Sequence, residues 1–143
     1  MRDINAGKFE KVYLLEGEES YFIDKIAEAL SKRVMPEEDK AFNYFTYYGS
    51  DADVGEIVNT AKSSPLGTEH LLIEVREAQL MERLEDLAYY LQRPLESTIL
   101  VICYKNGTVD KRKRLATLAQ KNGVLFEAKK LYDNQLSGFI SVY

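Results

Sequence analysis

Five short apolar runs, each followed by a stretch with helical spacing, limit what this 143-residue chain can fold into. The runs lie at residues 12–16, 43–48, 70–75, 98–103 and 124–127. The fourth, TILVIC, is continuously apolar and β-branched. Such a run suits a central strand covered on both faces. Between the runs, apolar residues recur every three or four positions. Phe22, Ile23, Ile26, Ala27 and Leu30 form one stripe in a predicted helix over 19–34. Val54, Ile57, Val58 and Ala61 form the next, with Asp53 as a cap and Pro65 and Gly67 as its close. Leu84, Leu87, Ala88 and Leu91 predict a helix over 81–92 that Pro94 stops. A further helix is predicted over 111–120, ended by Asn122-Gly123. A last one starts at Asp133 or Asn134 and carries Leu136, Phe139 and Ile140. Alternation of this kind predicts an α/β three-layer sandwich with a five-stranded, mainly parallel sheet and helices on both faces.

The first strand–helix junction reads Gly17-Glu18-Glu19-Ser20-Tyr21-Phe22. In a P-loop fold this turn cradles phosphate and needs G-x-x-x-x-G-K-[ST]. Here the second glycine and the lysine are missing. A helix N-terminus favours anions, but Glu18 and Glu19 already bring negative charge to it. The order of elements suggests a nucleotide-binding architecture, while the residues at Gly17, Glu18, Glu19 and Ser20 argue against nucleotide binding. Glu18 and Glu19 are expected to serve the helix end rather than catalysis, since adjacent helical residues point in different directions.

The remaining chemistry is sparse. Cys103, the only cysteine, excludes an internal disulfide and a cysteine-based metal site, and its setting predicts a small buried hydrophobe. His70, the only histidine, has no ligand-like partner nearby in sequence, so neither a metal nor a cofactor is expected. No serine, cysteine or lysine stands in a recognisable nucleophile setting. Ten tyrosines and no tryptophan make tyrosine the main large amphipathic packing residue. The net charge of −4 disfavours general affinity for nucleic acid. With no apolar span and no signal-peptide core at the N-terminus, the expected address is the cytoplasm, away from membranes.

Three segments in order carry a family resemblance: KFEKVYLLEGEESYFIDKI at 8–26, SPLGTEHLLIEVREAQ at 64–79, and TILVICYKNGTVDKRKRLATLAQKNGVLFEAKKL at 98–131. Together they resemble the N-terminal domain of the DNA polymerase III delta-subunit family, the clamp-loader component that opens the sliding clamp. The resemblance implies a RecA-like domain of the AAA+ type without a functional P-loop. It implies no ATP hydrolysis by this domain, polymerase catalysis lying in another subunit. Arg76 stands where related ATPases place an Mg²⁺-holding aspartate, and the plain reading of Arg76 and Glu77 is as solvated loop residues. The family grips the clamp, the beta subunit, with a short apolar wedge after the second helix. The matching positions are Ser64, Pro65, Leu66 and Gly67, with Leu66 on the second bulky position and Pro65 replacing the first. Read from residues alone, Leu66 either packs into the core behind a helix-ending proline or protrudes as a knob.

Other clamp-loader subunits are implied partners through lid and collar domains outside this sequence, which reads as one domain, 1–143, of a longer protein. DNA threads the family's assembly, so Lys105, Lys111, Arg112, Lys113 and Arg114 are candidate phosphate contacts. Their plain reading is a solvated helix start. Two other functions compete. A divergent P-loop ATPase would bind ATP with Mg²⁺. A receiver-like phosphoacceptor would need an aspartate closing strand three, where this chain has Glu74 or Glu77. Asp51 and Asp53 do not follow that strand.

Overall fold

The computed structural model describes residues 9–129. The helix expected after Asp133 lies outside them. The five strands are β1 (Val12–Gly17), β2 (Tyr44–Tyr48), β3 (Leu71–Arg76), β4 (Thr98–Lys105) and β5 (Val124–Ala128). They form one sheet in the order β2-β3-β4-β1-β5, with every strand pairing parallel. The apolar run at 98–103 is the central strand.

Side chains alternate across the sheet as a period of two requires. Val12 and Leu14 of β1, with Leu100 and Ile102 of β4, enter one core; Tyr13, Leu15, Ile99, Val101 and Cys103 enter the other. The second core is closed by α1 (Ser20–Val34), whose buried residues are Phe22, Ile23, Ile26, Ala27, Leu30 and Val34. The first is closed by α3 (Val54–Ala61), α4 (Ala88–Leu91) and α5 (Arg114–Asn122). A one-turn α2 (Lys40–Asn43) leads into β2. The expected three-layer sandwich is therefore present.

Four local expectations are corrected. The helix predicted over 81–92 is a 3₁₀ turn at Leu84–Leu87 running into the single α-turn of α4. Leu84, Leu87, Ala88 and Leu91 are buried all the same, because spacings of three and four fit either pitch over so short a stretch. The helix predicted from 111 begins at Arg114, leaving Lys111 to Lys113 in the preceding loop. Glu18 and Glu19 do not cap α1: Glu19 holds the N-cap position, but its side chain makes no capping bond. Arg76 and Glu77 are not free loop residues: Arg76 ends β3, and Glu77 follows in a left-handed conformation with φ 52°. Asp53 caps α3 as expected, its carboxylate accepting from the Glu56 N–H at 3.1 Å.

In a parallel sheet all carboxyl ends share one edge. The Gly17 turn lies on that edge, where ligands of open α/β sheets bind. The α3–β3 connection that holds Leu66 lies at the amino edge. Six residues of β3 at about 3.3 Å each separate the two by roughly 20 Å.

Candidate protein-docking knob and closed phosphate loop

At the carboxyl edge, the turn after β1 is fastened from within. Gly17 N–H donates to the Gly107 carbonyl at 2.8 Å, and the Gly17 carbonyl accepts from Asn106 N–H at 2.9 Å. Glu19 N–H donates to the Ala128 carbonyl at 3.1 Å. A phosphate cradle is made of free backbone N–H groups, and these two are already engaged. Gly17 has φ +125°, and a Cβ there would stand 2.2 Å from the Ala128 carbonyl oxygen. Only glycine fits, and it serves contact with β5 rather than room for a ligand.

The carboxylate just before it completes the closure. Glu16 is fully buried, and its Oε1 accepts from Val109 N–H at 2.8 Å. Its Oε2 lies 2.5 Å from Lys111 Nζ, an ion pair without hydrogen-bond alignment. Lys111 Nζ in turn donates to the Val109 carbonyl at 3.0 Å. The 106–111 loop is thus pinned across the mouth of the turn.

Beside it, a cleft of about 430 Å³ opens between α1 and the ends of β2, β3 and β4. Its charged lining is Asp24, Glu28, Glu74 and Glu77 against Arg76 and Lys105, a net acidic wall that repels a triphosphate. Arg76 Nε donates to Glu74 Oε1 at 3.0 Å, and Tyr44 donates its hydroxyl proton to Glu74 Oε2. Burial, then the Glu74 carboxylate, pushes the Tyr44 phenol above its ordinary pKa. Burial pulls the Arg76 guanidinium down, but Glu74 and then Tyr44 outweigh it and raise its pKa. Lys105 sits 2.8 Å from Asp24 and 3.5 Å from Glu77. Burial lowers its pKa, and the bonds and charges of Asp24 and then Glu77 together more than reverse this. Arg76 thus puts a fixed positive charge at the end of β3.

The basic run is likewise drawn into local contacts. Lys105 and Lys111 are paired as described, and Arg112 forks onto Asp110 with both contacts at 3.1 Å. The Arg112 guanidinium, and then the Arg112 backbone N–H that donates to Asp110 Oδ1 at 2.9 Å, hold that carboxyl at a pKa of about 2. Arg114 stacks over the Tyr89 ring at 5.9 Å, and Lys113 is the N-cap residue of α5. Cys103 is buried, and burial pushes its thiol up to about 12. His70 meets Phe9 edge-on at 5.8 Å. Among the described residues no group of three or more metal-ligating side chains occurs. Nor is any helix among them long and apolar enough to cross a membrane.

The amino edge is built differently. Thr98 Oγ1 donates to the Ala61 carbonyl at 2.7 Å, tying the end of α3 to β4. From that base the chain passes through exposed Ser63 and Ser64 and half-buried Pro65 to Leu66, which is 65% exposed. Leu66 is therefore not tucked into the core. Gly67, at φ +74° with open space around it, turns the chain back toward β3. The Leu66 backbone is held at both its N–H and its carbonyl by the side chain of buried Asn43, a contact over 23 residues that sequence reasoning missed.

Comparison with known proteins gives concordant matches. The family model described as DNA polymerase III, delta subunit, matches residues 13–129. The DNA polymerase III subunit delta of Bacillus subtilis is 24% identical over 148 residues, covering 96% of this chain and 43% of that protein. The solved Bacillus subtilis DNA clamp loader delta protein superposes with a TM-score of 0.85 at 23% identity, covering 96% of this chain and 44% of that one. A DNA polymerase III gamma subunit-related protein from Thermotoga maritima superposes at 0.60 with 16% identity, covering 99% of this chain and 47% of that one. The chain thus spans less than half the length of these relatives. The two structural likenesses show the same fold.

Proposed function

Because the chain belongs to the DNA polymerase III delta-subunit family, we propose that it is the clamp-touching part of a clamp-loader subunit and acts without hydrolysing ATP. Leu66 is the anchor that enters an apolar pocket on the sliding clamp, with Ser64, Pro65 and Gly67 shaping the knob around it. Lid and collar domains elsewhere in the subunit join it to the rest of the loader. The observation that carries this reading is an exposed leucine on a backbone fixed at both its N–H and its carbonyl. A leucine so held gains from burial on binding while losing little backbone freedom. The internally fastened Gly17 turn supports the absence of nucleotide chemistry.

Burying one leucine side chain contributes about 1.5–3 kcal/mol, and each 1.4 kcal/mol is about tenfold in affinity. Leu66→Asp is therefore expected to weaken binding to the sliding clamp of the same organism about ten- to a hundredfold, measured by surface plasmon resonance. Its urea midpoint should match the parent's. Unchanged binding would remove Leu66 from the interface. Calorimetric titration with ATP and Mg²⁺ is expected to give no saturable heat. Saturable binding would instead favour a divergent P-loop ATPase.

A further inference from the structure

Asn43 is a polar side chain only 1% exposed, at the junction of α2 and β2. Its Nδ2 donates to the Asp39 carbonyl and to the Leu66 carbonyl, each at 2.9 Å, and its Oδ1 accepts from Leu66 N–H at 2.6 Å. Both amide protons and the carbonyl oxygen are thus used. A carboxamide that reads the N–H and the carbonyl of one residue pairs with it as a neighbouring strand would. The backbone of Leu66 is then fixed on its inner side, and its side chain is left to solvent.

The residue before Asn43 is Phe42, 68% exposed. Successive Cα atoms are about 3.8 Å apart, so the residue that grips Leu66 also carries Phe42 beside it. Two exposed apolar residues, Phe42 and Leu66, are thus carried by one residue pair and the backbone that Asn43 holds.

We propose that Asn43 is the positioning residue of the docking knob: it presets Leu66 and joins it to Phe42 as one two-residue anchor for an apolar pocket on the sliding clamp. The proposal rests on the clamp-docking reading of Leu66. Asn43 itself touches no partner. It acts by holding Leu66 in its bound geometry before contact, so that little ordering remains to be done on association. Phe42 adds a large, rigid apolar surface of the type that dominates interface energetics.

The test is clamp binding by the full chain and by Phe42→Ala, Leu66→Ala, Asn43→Ala and the Asn43→Ala/Leu66→Ala pair. Phe42→Ala and Leu66→Ala are each expected to weaken binding about tenfold. Asn43→Ala should do the same alone, yet change binding less than about twofold once Leu66 is alanine, because contacting residues couple. A residue that merely stabilised the fold would weaken both backgrounds equally, and that result overturns the positioning role. If Asn43→Ala does not fold, Asn43→Asp keeps the acceptor for Leu66 N–H, removes the donors, and is held to the same expectation. Parent-like binding by Phe42→Ala, with Leu66→Ala weakened, overturns the two-residue anchor and leaves the docking reading standing. Parent-like binding by Leu66→Ala overturns both.

Discussion

The turn after β1 and the turn before β3 are both glycine-containing connections at sheet edges, and they are finished in opposite ways. At the first, backbone N–H groups face inward onto Gly107 and Ala128, and a buried carboxylate locks the neighbouring loop. At the second, one buried carboxamide holds the backbone and the apolar side chain is left outside. The difference lies in what is satisfied internally. A turn whose Gly17 and Glu19 N–H groups are spent within the chain has two fewer donors to offer a phosphate. A turn whose backbone is paired but whose leucine is exposed presents apolar area to a protein.

The contrast can be broken most sharply at its two glycines. Gly17→Ala forces a Cβ against the Ala128 carbonyl at a left-handed φ. It should cost more than about 3 kcal/mol, combining backbone strain with overpacking, read as a large drop in urea midpoint. Lys111→Ala removes the charge facing buried Glu16. Breaking a fully buried pair costs about 3–5 kcal/mol; with Lys111 half-exposed, a loss of about 1–3 kcal/mol is expected by the same measurement. Gly67→Ala meets open space and only the unfavourable φ of +74°, so about 1 kcal/mol is expected. Equal losses at Gly17 and Gly67 would mean that the first turn is not locked.

How much of this was legible depended on the range of the interaction. The central strand, the α1 stripe and the Asp53 cap all follow from residues within a few positions of each other, and all are present. The Leu84–Leu91 stretch showed which side chains are inside but not the helix pitch, because one turn of either kind brings the same residues inward. Glu19 reached the cap position without making the capping bond, its side chain being longer than the Ser, Thr, Asp and Asn that cap best, while its N–H bonds the Ala128 carbonyl far along the chain. Asn43 with Leu66, and Glu16 with Lys111, pair across long stretches of sequence. The available sign of the first was a lone asparagine between aromatics at a strand's start; the second had only an acid within an apolar strand.

The fastening of Gly17 and Glu19 to their own chain has a bearing on the opposite edge of the sheet. Two donors that a ligand would otherwise recruit are spent on Gly107 and Ala128. A ligand reaching the carboxyl edge would have to displace those bonds before it could act on the Leu66 turn, six strand residues or roughly 20 Å away.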